Sequence, residues 1–154
     1  MIRKAENKDI PALLRLLKQV AAVHHAIRPD IFKPNTVKYS AAQLEQILKD
    51  KKTPVFVYTD AKDAVQGYAF CVLYEWDDDL LQQRKSVYID DLCVDEACRG
   101  KHIGTALYAY VKDYAKNIGA NSVTLNVWEG NDSAKAFYRN LGMAVQRTTM
   151  EDKF

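Results

Sequence analysis

At 154 residues the chain has room for one domain, and folding at this length removes about 68–70% of the unfolded surface from water, enough for one substantial core. Hydrophobic residues at 48% against charged residues at 27% are an ordinary globular balance and exclude a disordered chain. Twenty-two basic and 20 acidic side chains leave a net charge of +2, too even a mixture for the concentrated basic field of a nucleic-acid binder, and no apolar run approaches the roughly 20 residues of a membrane span.

Ile2 to Ala5 reads as a short opening strand. Asp9 then stands at an N-cap position, and Ile10, Leu13, Leu14, Leu17, Val20 and Ala21 recur at helical spacing, fading near His25. Pro29 and Pro34 make Ala26 to Asn35 a loop. Ser40 with Gln43 resembles a capping box, and Leu44, Ile47 and Leu48 supply the apolar stripe of a second helix. Val55 to Thr59, Gln66 to Tyr74 and Ser86 to Val94 are rich in Val, Tyr, Phe and Ile, so three consecutive strands of an antiparallel meander are expected. Between the last two, Asp77, Asp78 and Asp79 read as a solvated hairpin tip, with cation binding as the second reading. Ile103, Leu107, Val111, Tyr114, Ala115 and Ile118 then define a helix closed by Gly119. Ser122 to Trp128 is a predicted strand. Ala134 to Leu141 is a short helix capped by Asn131 or Asp132 and ended by Gly142, and Val145 to Met150 is a final strand.

Three cysteines, Cys71, Cys93 and Cys98, form an odd set without a CxxC pair or a Cys/His metal spacing, and nothing resembling a secretory signal precedes them. Reduced thiols, no metal and a cytoplasmic location are expected.

The chemistry concentrates in the second half. In Val94-Asp95-Glu96-Ala97-Cys98-Arg99-Gly100-Lys101-His102-Ile103-Gly104-Thr105 a strand enters a basic, glycine-containing loop that opens directly onto the strongest helix. Free backbone N–H groups and the positive end of the helix dipole make such a junction a phosphate cradle. The competing reading is an ordinary turn whose glycines serve geometry alone. Gly100 and Gly104 satisfy neither the nucleoside-triphosphate loop nor the dinucleotide fingerprint.

This loop resembles that of the GNAT superfamily of acyl-CoA-dependent N-acetyltransferases, which reads Arg or Gln, x, x, Gly, x, then Gly or Ala. Arg99 and Gly104 match its ends, and His102 stands where the family usually has glycine. A second stretch, Asn131-Asp132-Ser133-Ala134-Lys135-Ala136-Phe137-Tyr138-Arg139-Asn140-Leu141-Gly142-Met143, resembles the family's Asn-x-x-Ala-x-x-Phe-Tyr-x-x-x-Gly-Phe signature, with Met143 in place of the last aromatic. The resemblance covers Tyr88 to Val145 at motif level. It implies one α/β (α+β) domain over residues 1–154, with a mixed, mostly antiparallel sheet flanked by helices and a splayed strand pair holding acetyl-CoA. The backbone of Arg99, Gly100, Lys101, His102, Ile103, Gly104 and Thr105 would bind the pyrophosphate. Asn131 would hydrogen-bond the pantetheine, Ala134 and Phe137 would pack along it, and Tyr138 would face the sulfur and protonate the departing thiolate. Asn126 and Trp128 border the cleft, although Trp128 serves equally well as core.

The run Tyr88-Ile89-Asp90-Asp91-Leu92-Cys93-Val94 places two carboxylates in an otherwise apolar strand, where an unpaired buried charge is costly. Successive strand residues face opposite ways, so at most one of the pair is expected to look into the cleft while the other is solvated or salt-bridged. The run resembles the Ile-Glu-Asp segment of polyamine-type family members, which favours Asp90 as the group near the amine. The bulge common in this strand of the family would reset the facing, so Asp91 is the second candidate. In the family this bulge offers the backbone of Leu92 and Val94 to pantetheine, and a backbone N–H near Cys93 would stabilise the oxyanion. His24 and His25 are candidates as alternative bases or cleft-lining residues, against the commoner case of a surface or half-buried histidine without a partner. The expected reaction is direct transfer from acetyl-CoA to a primary amine of a small molecule or peptide, the alternative being a non-catalytic CoA- or nucleotide-binding module. A homodimer is possible; nucleic acid and membrane are not expected partners.

Overall fold

A computed structural model describes residues 1–154. The opening strand β1 (Ile2–Lys4) leads through a 3₁₀ turn at Asn7–Asp9 into α1 (Ile10–Ile27). Proline near the start of α1 costs it no internal hydrogen bond, because the first amides of a helix have no partner within it. Asp9 occupies the N-cap position without capping α1. Its carboxylate accepts instead from the Glu6 amide and from both terminal nitrogens of Arg3, at 2.8, 2.7 and 2.9 Å. The second helix, α2 (Ala41–Lys49), begins with the reciprocal Ser40–Gln43 capping box expected of its sequence.

Strands β2 (Val55–Thr59), β3 (Val65–Trp76) and β4 (Arg84–Val94) form the antiparallel meander, β1 pairs with β2, and β5 (Ser122–Leu125) adds parallel to β4, giving the order β1-β2-β3-β4-β5. Helix α3 (Ile103–Asn117) connects β4 to β5, and α4 (Asp132–Asn140) follows β5. Alternation along the strands divides the core. Val55, Val57, Tyr68 and Phe70 pack under α1 and α2 with Leu13, Leu16, Leu17 and Leu44. Phe56, Ala69, Cys71, Val87 and Ile89 face α3 through Leu107, Val111 and Ala115.

Two expectations fail in the last third. β5 ends at Leu125 rather than at Trp128, and Val145–Met150 forms no strand. Past Met143 the chain makes no backbone hydrogen bond, and Val145, Met150 and Phe154 are exposed. A strand needs an edge to pair with, and this segment is drawn to charges instead: Glu151 pairs with Arg28 at 3.1 Å and Lys153 with Asp30 at 2.8 Å. The acidic turn stands at the far end of its hairpin, as a solvated tip should. β3 and β4 remain paired as far as Trp76 and Arg84, which carries Asp77, Asp78 and Asp79 away from the middle of β4.

Candidate active site

The parallel seam between β4 and β5 runs from Ser86 opposite Ser122 to Ile89 opposite Leu125 and stops there, while β4 continues on β3 to Val94. The two strands therefore separate, and the β5-facing edge of β4 from Asp90 to Val94 has no strand beside it.

At the point of separation β4 carries a bulge. Asp91 pairs with Phe70 and Ile89 with Cys71, so Asp90 is the extra residue. Strict alternation would send one carboxylate to each side, whereas both turn toward the α1/α2 face. Asp90 Oδ2 accepts from Lys38 Nζ at 2.7 Å and from the Tyr39 hydroxyl at 2.8 Å. Asp91 Oδ2 accepts from the Tyr68 hydroxyl at 2.8 Å, beneath α1 and α2. The bulge implied by the family resemblance is thus present and resets the facing, and Asp90 is the salt-bridged member of the pair. Burial pushes the Asp91 carboxyl up to about 6 even though the Tyr68 hydroxyl favours its ionised form.

The junction into α3 has an open end. His102, at its N-cap position, adopts left-handed backbone (φ 59°) and contributes no side-chain cap. The position therefore requires the conformation that glycine adopts most readily, and histidine tolerates it better than a β-branched residue would. Helical bonding begins with the Ala106 amide on His102 O at 3.0 Å, and the amides of Ile103, Gly104 and Thr105 donate to nothing in the chain. Leu92, Val94, Cys98, Arg99, Gly100, His102, Ile103, Gly104, Thr105 and Phe137 line a groove of about 360 Å³ in front of them. A Cβ on Gly104 would lie 3.1 Å from Phe137 Cζ and 3.6 Å from Val94 Cγ2, so the missing side chain is what keeps the floor of the groove open. Free amides, a helix N-terminus and exposed Arg99 and Lys101 suit a pyrophosphate, and the apolar wall from Val94 to Phe137 suits a pantetheine arm.

The remaining predicted residues divide. The side chain of Cys93 points away from the groove into the α1-side core, its Sγ 3.8 Å from Leu16 O. Lys101 is exposed beside the groove without lining it. Asn126 donates to the Tyr88 hydroxyl at 3.2 Å. The Asn131 side chain accepts from the Ala134 amide at 3.4 Å, so it is occupied in capping α4. Tyr138 packs edge-on against Tyr108 and Phe137, at ring separations of 6.3 and 5.0 Å. Its phenol pKa is raised, chiefly by burial and further by the charge of Asp91, so it keeps its proton across the working range. Trp128 joins an aromatic wall with Phe32, His24 and the Arg28 guanidinium. His25 Nδ1 is 2.7 Å from Phe32 O, a structural contact, while burial lowers the pKa of His24. Burial also pushes the Cys71 and Cys93 thiols up to about 12, which makes both poor nucleophiles.

Sequence reasoning missed what braces this site. Arg15 and Gln19 on α1 hold Asp95, and the Gln19 side chain also accepts from the Glu96 amide at 3.1 Å, so α1 fixes the entry to the basic loop. Lys38, Tyr39 and Tyr68 also went unnoticed, because nothing local marks a loop lysine or a core tyrosine as the partner of a carboxylate some 20 to 50 residues away.

The fold and groove define an acetyltransferase architecture, and the comparisons agree. Residues 20–143 match the Acetyltransferase (GNAT) family, and the chain belongs to that family. It is similar over its whole length to the crystal structure of a mutant of the BH1408 protein of Bacillus halodurans, with 35% identity, a TM-score of 0.95 and 99% of that chain covered. Two more distant structures share the fold, each with this chain covered in full. One is a putative acetyltransferase from Agrobacterium tumefaciens (19% identity, 99% of that chain, TM-score 0.75), and the other is glucosamine-6-phosphate N-acetyltransferase from Arabidopsis thaliana (22%, 97%, 0.73). No curated protein matches the sequence. No helix is long and apolar enough to cross a membrane, and no group of three or more His, Cys, Asp or Glu side chains is placed to hold a metal ion.

Proposed function

We propose that residues 1–154 form one cytoplasmic N-acetyltransferase domain that transfers an acetyl group from acetyl-CoA to a primary amine of a small molecule or peptide by direct attack, without a metal. The observation that supports this reading is the uncapped N-terminus of α3 opening on an apolar groove lined by Leu92 and Val94, with the carboxylate-bearing bulge of β4 immediately before Leu92. Acetyl-CoA supplies the activated acetyl group; the chain supplies binding and proton handling.

The amides of Gly104 and Thr105 and the charges of Arg99 and Lys101 hold the pyrophosphate. Val94 and Phe137 bound the arm, with Asn131 and Ala134 shaping the α4 side. The amine arrives protonated, with a pKa near 10.4 for a lysine-like group, and must lose a proton before it attacks. Asp90 is the carboxylate that an amine reaches from solvent. Asp91 lies behind it with a pKa of about 6, close to the working pH, where a general base is most effective. The unpaired backbone of β4 near Cys93 faces the carbonyl oxygen as negative charge develops. Tyr138 donates its O–H to the departing sulfur. Complete proton transfer from so weak an acid to a thiolate of pKa near 8.5 is uphill, so its contribution is mainly that hydrogen bond. The carboxylate pair favours cationic acceptors, and Lys38 offsets part of that charge. A homodimer fits the free edge of β5 and the strand-like, unpaired segment after Met143, which together offer a strand and a place to add it.

The test is kcat/KM for acetyl-CoA with acceptors of graded charge, followed through free thiol across pH, for the wild type and Asp91→Asn. Cationic amines are expected to react fastest, with an acid limb near pH 6 that the variant lacks. Because Asp91 in the fold titrates above its unfolded value of 3.8, the native state binds the extra proton between about pH 4 and 6. Wild-type stability therefore falls as pH rises through that window, and Asp91→Asn removes the fall. Preference for anionic acceptors, or no thiol release with any amine, contradicts the assignment.

A further inference from the structure

The carboxylate that meets the acceptor amine already has an amine on it. Lys38 lies in the connection between α1 and α2, where residues 33–40 belong to no helix or strand. Its Nζ is 2.7 Å from Asp90 Oδ2. The Tyr39 hydroxyl shares that oxygen at 2.8 Å, and the Lys38 ammonium lies 5.5 Å from the Tyr39 ring centroid. Within electrostatic reach of this contact are Asp91, mostly ionised at neutral pH, and His24, whose pKa is lowered by burial and by the Lys38 charge. The Lys38 side chain retains 44% exposure, so its four-carbon stem can swing by a few ångströms. An ion pair this open adds about 0–1 kcal/mol to stability, so folding alone gives little reason to set a lysine there.

We infer that Lys38 is a self-acetylation site: the chain's own amine stands in the acceptor's place at Asp90 and takes the acetyl group within the same molecule. This rests on the acetyl-CoA reading above. In the reaction the Lys38 ammonium gives a proton to Asp90, and its Nζ forms the N–C bond to the acetyl carbonyl. The C–S bond breaks, and CoA leaves as a thiolate that takes up a proton. No oxidant or further reactant is required. A tethered amine does not need to be captured from solution, which compensates for the unfavourable loss of a proton from a paired ammonium. The product is a neutral amide that no longer pairs with Asp90, so acetylation of Lys38 exposes that carboxylate to incoming cationic amines. The first acetyl group is thus spent on opening the acceptor site.

The experiment incubates the purified chain with isotopically labelled acetyl-CoA and no acceptor, and measures each lysine by peptide mass spectrometry over time. Calorimetric binding of acetyl-CoA and turnover of an alkylamine are measured on the same preparation. Lys38 is expected to acquire the label at least about tenfold faster than the exposed Lys51 and Lys62. Its rate should be independent of protein concentration, and excess free CoA should suppress it without affecting the other lysines. Lys38→Arg, which keeps the charge and cannot be acetylated, should show weaker KM for cationic amines than the acetylated wild type. The proposal is overturned if the alkylamine is turned over while Lys38 stays unlabelled or reacts no faster than Lys51 and Lys62, or if its rate rises with protein concentration. Absence of both acetyl-CoA binding and amine turnover overturns the enzyme reading itself.

Discussion

Helices α3 and α4 both follow the strands of the parallel seam, and both carry motif residues, yet their first turns are built in opposite ways. α4 closes its own start, with the Asn131 side chain on the Ala134 amide. α3 opens with left-handed His102, no side-chain cap and three free amides above a groove. Replacing a good N-cap by alanine costs about 1 kcal/mol, so leaving α3 uncapped sacrifices stability at a helix start that opens on a groove of about 360 Å³. α3 can bear that loss because Ile103, Leu107, Val111 and Ala115 are buried under the sheet, whereas α4 buries no residue fully and depends more on its cap. The difference separates binding from positioning. In the proposed reaction the open helix end would hold the anion, and the closed one would set Tyr138 in place.

The contrast breaks most severely at Gly104. Gly104→Asp brings a carboxylate and a side chain between the free amides and Phe137. The loss of two hydrogen bonds to a charged group, at about 1.5–3 kcal/mol each, should weaken acetyl-CoA binding by about 10²- to 10⁴-fold in calorimetry. Unchanged affinity in a folded variant would remove the groove from the account. On the closed helix, Tyr138→Phe is expected to lower kcat by about 10- to 10³-fold with little change in acetyl-CoA affinity, as for a donor that acts on the leaving group. A wild-type rate would reduce Tyr138 to packing against Tyr108. The smallest effect is at His102. His102→Val forces a β-branched side chain into φ near 59° and should destabilise the fold by about 1–2 kcal/mol in denaturant melts, whereas His102→Gly should stay within about 1 kcal/mol of wild type and retain binding. Equal stability of the two variants would mean that the left-handed turn is not required.

These same residues show how far the sequence could be read. Periodicity and caps located α1 to α4 and the meander, because each depends on neighbours a few positions away: Ser40 with Gln43, or Leu107 with Val111 and Ala115. The groove was legible for the same reason, since Arg99 to Thr105 is one continuous segment. The shared facing of Asp90 and Asp91 was legible only through the family resemblance, which implied a bulge, and not from alternation. It results from one extra residue in the β3–β4 ladder, which strict alternation hides. Nor could the partners be read, because Lys38 and Tyr68 meet these carboxylates only through tertiary folding. The segment Val145–Met150 has a strand's composition but pairs with nothing although the outer edge of β5 is free, and composition cannot say which edge a segment joins.

The most direct test of the account is residue-resolved amide hydrogen exchange with and without acetyl-CoA. The amides of Ile103, Gly104 and Thr105 have no partner in the chain and should gain strong protection when acetyl-CoA is added, while that of Ala134, already bonded to Asn131, should change little. Protection that appears at the start of α4 and leaves the start of α3 exchanging as before would contradict the assignment of the open helix end as the seat of the cofactor.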